Sequence, residues 1–348
     1  MRDDLDKLLA SLEVLADTGA ERRGYLANHG PMAAEALVAL GQSAAAPDWT
    51  LRYRPILEPE PAERFRLDPA DWPEQLGEID RLGDWTGLFR RELTERPWPE
   101  VLRAWWPRLL PGLAASATHG VIRTAHGVRA LELAGADPDP LLVDELAKGL
   151  GFWAARYQEL PGSPALRGPD PLGVALTRLP RLTPDKIGLG GGISGDLAHL
   201  DELPGFAEGL DGYGAPADPA AVLDELISAA ARVFLARPEA PIEFCHAVTA
   251  PAAIRLVLPH LPAEFAAPAV AASWQVVGGI VAAFSPDRID GLDVVLAEPP
   301  AAEELVARAV ASGDAHVIKL TEAAFREHAR TGDTALLHAA HAMADRWP

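Results

Sequence analysis

Apolar residues recur at helical spacing along most of the chain. Near the N-terminus, Leu5, Leu8, Leu12 and Leu15 fall on one face of a helix. Alanine, leucine, glutamate and arginine dominate the sequence, while the β-branched alternation typical of strands is scarce. The pattern predicts helices over residues 3–16, 30–42, 84–94, 99–109, 112–134, 141–159, 219–236, 245–258, 265–284, 300–312, 315–329 and 333–346.

Local sequence signals predict where some of these helices begin and which segments lie outside helices. Asp218 followed by Pro219 is typical of a helix start, since aspartate caps free N–H groups and proline fits the first turn. Residues 47–75 are rich in proline, tryptophan and charged residues, a composition that predicts an extended segment covering the helices. Residues 161–219 contain nine prolines and twelve glycines and predict a long loop. Long loops in compact domains are often functional, for example as lids.

The sequence favours an all-α fold in one large helical domain over residues 1–348. The alternative is two halves, 1–160 and 219–348, joined by the Pro/Gly-rich loop 161–218. The single domain is favoured because the candidate functional residues come from both halves.

Composition and charge narrow the class of protein. Thirty-one basic against fifty acidic residues give a net charge of -19, which argues against nucleic-acid and anionic-membrane partners. The single cysteine, Cys245, excludes an internal disulfide framework and is expected to be a small buried residue. The acidic N-terminus does not resemble a signal peptide. The apolar stretch 266–284 predicts a buried helix, and a cytoplasmic protein is expected. The oligomeric state cannot be read from the sequence.

Histidine carries the candidate chemistry, because several of the ten histidines lie in apolar, small-residue segments. His29 stands at a predicted loop-to-helix junction. His119 and His126 share a helix face but are separated by about 10.5 Å of rise, which is long for one metal ion. His246 projects with Thr249, and His316 with Lys319, from common helix faces.

Two basic residues add to this set. Arg123 lies between His119 and His126 and is a candidate to orient an anionic or carbonyl oxygen of a substrate. Lys319 lies in an apolar run. If its side chain faces inward, burial favours a neutral amine, which can add carbon dioxide to form a carbamate with carboxylate-like oxygens.

Two other motifs are weaker. Residues 190–195 match the spacing G-x-G-x-x-G, but the preceding segment is not a hydrophobic strand, so a flexible hinge is favoured over a nucleotide site. Glu243-x-x-His246 resembles half of a di-iron motif, and the sequence offers no convincing second copy.

Four segments in chain order resemble the questin oxidase-like family, and together they span most of the chain. They are Asn28-His29-Gly30-Pro31, His119-Gly120-Val121-Ile122-Arg123-Thr124-Ala125-His126, His246-Ala247-Val248-Thr249-Ala250-Pro251 and His316-Val317-Ile318-Lys319-Leu320-Thr321-Glu322-Ala323. The resemblance implies an α-helical oxygenase that cleaves a ring of an aromatic polyketide, such as an anthraquinone, with dioxygen.

The resemblance also implies a cofactor and a ligand set. Family members are described either as non-haem iron dioxygenases with a carboxylated lysine or as NADPH-requiring Baeyer–Villiger-type oxidases. Carried onto this sequence, the iron ligands are His29, His119, His246 and Lys319. His126 and His316 compete for a further place, and Thr249 would hold the carbamate. The sequence offers no convincing nicotinamide site, which favours iron. The alternative to an enzyme is a non-catalytic helical protein that binds a small ligand.

Overall fold

Helices make up nearly all of the secondary structure in the part of the chain that the structure describes. The computed structural model describes residues 2–23, 25–285, 292 and 296–346. The α-helices in these residues are α1 (Arg2–Leu15), α2 (Gly30–Ala39), α3 (Ala46–Tyr53), α4 (Leu82–Glu95), α5 (Trp98–Leu109), α6 (His119–Ala134), α7 (Pro140–Ala155), α8 (Leu172–Arg178), α9 (Gly192–Ala198), α10 (Phe206–Leu210), α11 (Pro219–Ala236), α12 (Pro241–Val257), α13 (Ala266–Phe284), α14 (Ala302–Ser312), α15 (Ala315–Thr331) and α16 (Ala335–Ala344). The predicted all-α fold in a single domain is confirmed.

A small antiparallel sheet accompanies the helices, in the order β2-β1-β3. Its strands are β1 (Thr18–Arg22), β2 (Leu26–Ala27) and β3 (Leu57–Pro59). The helical periodicity did not predict these strands, because each is too short to show an alternating pattern. Strands β1 and β2 lie between α1 and α2 in sequence, β3 follows α3, and the sheet anchors the segment that leads into His29.

Side-chain caps set the beginnings of several helices. Asp218 Oδ1 accepts a hydrogen bond from the Ala220 N–H at 3.0 Å, as the Asp-Pro pair predicts. Asp314 Oδ1 accepts from the N–H groups of His316 at 2.8 Å and Val317 at 3.2 Å. The second cap fixes the first turn of α15, which carries two of the candidate residues.

Three local predictions need correction. Within 47–75 the chain is not only extended cover, because α3 buries Trp49 and Thr50 and packs on α1. Within 161–219 the predicted loop contains the short helices α8, α9 and α10. The helix predicted over 112–134 begins only at His119, because the residues before it form a left-handed turn.

The two halves of the chain share one core. Helix α6 packs on α7 and α12, and α2 packs on α15, so elements from both sides of the long loop are in contact. Two stretches, Pro241–His260 and Ala263–Phe284, are apolar and long enough to cross a membrane, but 67% of the most apolar 18-residue segment of each is buried inside the fold. A core helix passes the same test, and α13 is buried along most of its length, as predicted.

Gly120 permits the close approach of α6 to α7, which gives a test of this packing. A Cβ at Gly120 would lie 2.8 Å from Trp153 Cα, whereas one at Gly127, two turns later, would lie 3.6 Å from Leu146 Cα. We expect Gly120→Ala to lower the free energy of unfolding by about 1–3 kcal/mol through overpacking. Gly127→Ala should raise it by up to about 1 kcal/mol through helix propensity. Equal effects in urea unfolding would contradict this packing.

Candidate metal centre

The N-terminal ends of four long helices meet at one cavity of about 380 Å³. The cavity wall includes His29 before α2, His119 at the start of α6, His246 in α12 and His316 in the first turn of α15. These helices come from both halves of the chain. Since the N-terminal end of a helix carries partial positive charge, the cavity lies in a field that favours anions.

His29 is positioned by its neighbours in the Asn28-His29-Gly30-Pro31 segment. Asn28 Nδ2 donates to the Gly19 carbonyl at 2.8 Å, and Asn28 Oδ1 accepts from the Gly30 N–H at 2.8 Å. The His29 N–H donates to the Tyr53 hydroxyl at 3.1 Å. The asparagine therefore ties the start of α2 to strand β1, and the imidazole of His29 is held over the cavity.

His119 follows a strained turn. Ser116, Ala117 and Thr118 have φ values of 50°, 53° and 71°, a left-handed conformation that costs non-glycine residues about 1–2 kcal/mol each. The Ala117 N–H donates to Ser194 Oγ at 2.9 Å, which helps to hold the turn. Consecutive residues in this conformation typically mark a functional position. Here the turn aims the first residue of α6 into the cavity.

The hydrogen bonds of two histidines fix their tautomers. His119 Nδ1 lies 2.6 Å from the Ser116 carbonyl, and His246 Nδ1 lies 2.7 Å from the Ile242 carbonyl. A carbonyl oxygen only accepts hydrogen bonds, so each Nδ1 carries the proton and each neutral Nε2 presents a lone pair. Nε2 of each histidine can therefore donate its electron pair to a metal ion.

The two lone pairs point at the same place. His119 Nε2 lies 3.2 Å from His246 Nε2 and 2.7 Å from His29 Nε2. Two acceptor nitrogens at 3.2 Å cannot form a hydrogen bond with each other, and a cation bound by both would account for their close approach. Nitrogens bound to one metal ion at about 2.0–2.1 Å are separated by about 2.9–3.4 Å, which matches the His119–His246 distance.

His316 completes the cluster. Its ring lies edge-on to His29, with centroids 4.4 Å apart, and 5.8 Å from the His246 ring. One nitrogen each from His29, His119 and His316 lies within 4.8 Å of the other two, a grouping that could hold a metal ion. Asp314 Oδ1, 3.5 Å from His316 Nδ1, orients the ring. We call His29, His119, His246 and His316 the histidine cluster.

A proton does not supply the missing positive charge. Burial lowers the pKa of His29, His119 and His246 well below the usual 6.5, and the neighbouring charges of the cluster and Lys319 lower it further. The three imidazoles are therefore neutral at physiological pH. A neutral, electron-donating, buried group of imidazoles is the donor set that iron, zinc and copper prefer.

Lys319 lies beside the histidine cluster on α15 and is only 2% exposed. Among the described residues it forms no ion pair, and burial lowers its pKa from 10.5 to about 8. Cys245, also buried, is near enough to influence that pKa, and its own thiol pKa is raised to about 12 by burial. The thiol is therefore protonated and inert, whereas Lys319 has a substantial neutral fraction at slightly alkaline pH.

His126 does not join the cluster. Its Nδ1 lies 2.6 Å from Glu35 Oε2, two turns along α6 from His119, so of the two histidines left open by the sequence the structure places His316 beside the other three. The reason is the rise of the helix, which carries His126 about 10.5 Å away from His119.

Arg123 does not line the cavity either. Its Nε and Nη2 donate to Glu145 at 2.6 and 2.8 Å, and the side chain is 1% exposed. The predicted contact with a substrate is therefore unsupported, because the Glu145 carboxylate holds the guanidinium on the side of α6 that faces α7. Thr249 is buried on α12, and its Oγ1 donates to the Cys245 carbonyl at 2.9 Å. Glu243 does not line the cavity.

Sequence reasoning missed several residues of the cavity wall. Arg22 on β1 and Asp314 before α15 line it, together with Ser116 and Ser194. The glycine-rich segment also contributes, since Gly191 and Gly192, both with positive φ, form part of the wall without a preceding strand. The Asp314 cap could have been found from its position before an amphipathic helix, but no pattern near Arg22 indicates a cavity.

No protein-family model matches this chain, and a search of the curated proteins also finds no match. The resemblance to the questin oxidase-like family therefore rests on the four sequence segments. The geometry of the histidine cluster is a separate argument, and it concerns a metal site.

Proposed function

We propose that this chain is a non-haem iron oxygenase that opens a ring of an aromatic polyketide or anthraquinone-type substrate by oxidative carbon–carbon cleavage with dioxygen. The observation that supports a metal most directly is the 3.2 Å contact between two Nε2 atoms that are both acceptors. Iron and the substrate class are taken from the family resemblance. The ion, when bound, supplies the redox chemistry that dioxygen requires.

The histidine cluster would hold the ion, and Lys319 would complete its surroundings. The neutral amine of Lys319 attacks carbon dioxide, a nitrogen–carbon bond forms, and one proton leaves the nitrogen for solvent. The product is a carbamate with one negative charge and two oxygen donors. Because the four imidazoles are neutral, this charge would offset part of the charge of a divalent ion.

The surrounding helices favour the carbamate form. Helices α2, α6, α12 and α15 all begin at the cavity, and their N-terminal ends favour negative charge by about 0.3–1 kcal/mol each at exposed sites. No acidic residue is paired with Lys319 among the described residues. Lys319 itself does not line the cavity, so its carbamate would extend from the buried amine towards the histidine cluster.

The cavity would hold the substrate beside the cluster. Its volume of about 380 Å³ is in the range of small-molecule sites. Leu26, Ile193 and Ile242 give it apolar walls, while Arg22 is the guanidinium on its wall. Arg22 would take the role that the sequence assigned to Arg123 and would orient a phenolate, carboxylate or carbonyl oxygen.

Replacement of Arg22 tests this role. We expect Arg22→Met to weaken binding of a hydroxyanthraquinone with an acidic phenol by about tenfold or more, since a hydrogen bond to a charged group contributes about 1.5–3 kcal/mol. Arg23→Met is the matched control, because Arg23 is exposed, follows the last residue of β1 and is not part of the cavity wall. Fluorescence titration of metal-loaded protein measures both. Equal affinities for the two variants would contradict the assignment.

Metal analysis and oxygen consumption test the function itself. Protein purified under anaerobic conditions and supplied with ferrous iron should retain about one iron per chain and consume dioxygen with an aromatic substrate. Absence of metal after loading would instead support a non-catalytic ligand-binding protein. Strict NADPH dependence without metal would support the Baeyer–Villiger-type alternative.

A further inference from the structure

A second buried polar group lies on the same helices as the histidine cluster. It consists of Glu35 on α2, His126 and Arg129 on α6, and Glu322 on α15. We call these four residues the Glu35 network. Glu35, His126 and Glu322 are 4%, 7% and 4% exposed, so the network lies inside the protein.

The network joins all three helices through direct bonds. Glu35 Oε2 accepts from His126 Nδ1 at 2.6 Å, and Glu35 Oε1 accepts from Arg129 Nε at 2.7 Å. Arg129 Nη1 also pairs with Glu322 Oε1, so one guanidinium bridges the carboxylates of α2 and α15. Arg129 also donates from Nη2 to Glu35 Oε2, and such a bidentate pair restricts both the distance and the angle between the helices that carry it.

The spacing along each helix is nearly the same. Glu35 follows His29 by six residues, His126 follows His119 by seven, and Glu322 follows His316 by six. Six or seven residues correspond to about 9–10.5 Å of helix rise. The three helices start at the cavity, and the network ties them together again two turns further on.

The charges of the network are balanced together with Arg326, which lies outside the four residues. The Arg129 charge helps to keep the pKa of both carboxyls low, to about 2 for Glu322, so both are ionised. Two carboxylates share one guanidinium, and the His126 imidazole and Arg326, which bonds to Glu322 at 3.1 Å, stabilise the remaining charge. Removal of one member leaves a buried charge without its partner, a large perturbation for a local change.

We propose that the Glu35 network is a positioning network that fixes the register of α2, α6 and α15 and thereby the spacing of His29, His119 and His316. This inference rests on the proposed metal site. A shift of one helix along its axis by a few tenths of an ångström would alter the 2.7 Å His29–His119 separation. Residues that hydrogen-bond directly to metal ligands typically contribute about 10–100-fold to metal affinity, and the network would act on the same ligands through the positions of their helices.

The test uses Glu35→Gln, which keeps the shape of the side chain and removes its charge. We expect the cobalt(II) affinity of the full chain to fall at least tenfold and the visible spectrum of bound cobalt to change, since the spectrum reports ligand geometry. Arg129→Met should do the same, and Arg129→Lys should restore part of the affinity. If Glu35→Gln does not fold, the Arg129 pair decides the question.

A control separates positioning from stability. Asp333→Asn breaks the Arg232–Asp333 ion pair, whose partners lie on α11 and in the turn between α15 and α16, at the opposite end of α15 from His316. It should lower stability and leave the cobalt affinity and spectrum unchanged. If Glu35→Gln behaves like Asp333→Asn, the network is only structural and the proposal is wrong.

A metal-free measurement keeps the proposal distinct from the proposed function. In wild-type protein, ¹⁵N–¹H correlation of the histidine rings should show His119 and His246 protonated on Nδ1. Glu35→Gln should move the His119 ring signals if the network positions α6, whether or not wild-type protein binds cobalt. Unchanged ring signals would overturn the proposal, while failure of wild-type protein to bind cobalt would overturn the metal site alone.

Discussion

Lys319→Ala should lose bound iron and all turnover while remaining folded. The side chain is buried beside the histidine cluster without an ion-pair partner among the described residues, so its removal deletes the carbamate and little else. Acetate or propionate should partly restore iron and activity, because a small carboxylate can occupy the space that the lysine and its carbamate leave. Iron analysis and oxygen uptake with and without the acid measure the effect.

Lys148→Ala provides the matched control for a buried lysine. Lys148 is 5% exposed, but it pairs with Glu60 at 2.8 Å and lies away from the cavity. Its loss should lower stability without changing iron content. If Lys319→Ala retains full iron and activity, or if Lys148→Ala loses iron to the same extent, the role assigned to Lys319 is wrong.

Lys319→Met tests the same lysine through stability. The folded-state pKa of about 8 lies below the usual 10.5, so the folded protein resists protonation and the penalty is fully present below pH 8. In metal-free, carbon-dioxide-free buffer, Lys319→Met should be more stable than wild type by on the order of 3 kcal/mol below pH 8. The difference should shrink as pH rises towards 10.5. A difference independent of pH would contradict the buried, unpaired amine.

His119→Ala should have the second-largest effect. His119 Nε2 is the atom that approaches both His29 and His246, so the substitution removes the nitrogen at the centre of the cluster. Loss of a direct ligand should weaken metal affinity by more than the ~10–100-fold typical of supporting residues. Competition titration with cobalt(II) or zinc measures this.

His328→Ala should be nearly silent in the same titration. His328 lies on α15, like His316, but its Nδ1 contacts the Asp333 carbonyl at 3.0 Å, outside the histidine cluster. Similar losses in the two variants would mean that histidine removal acts through folding and not through metal binding.

The helices could be predicted from the sequence because their signals are local. Apolar spacing and the Asp218-Pro219 start predict α11 with its observed bounds, Pro219–Ala236. The turn before α6 could not be predicted, since Ser116, Ala117 and Thr118 include no glycine and their positive φ values depend on contacts such as that with Ser194, far away in sequence.

The site residues divide in the same way. Helix spacing showed that His119 and His126 are too far apart to share one ion easily, but not which of His126 and His316 lies beside His29. That choice depends on how the distant segments pack, since the first turn of α15 brings His316 against His29, while His126 pairs with Glu35 two turns away. Arg123 lies on α6 where the sequence suggested a substrate contact, but its guanidinium forms an ion pair with Glu145 on α7. Pairing between distant segments is not encoded in any local pattern.

Anomalous diffraction at the iron edge tests the central claim most directly. Crystals of protein loaded with ferrous iron under anaerobic conditions should show one peak within about 2.0–2.4 Å of the Nε2 atoms of His119 and His246, in contact with His29 or His316 and with density extending from Lys319 Nζ. A map without a peak between these imidazoles, or with iron bound only at surface carboxylates, would contradict the account.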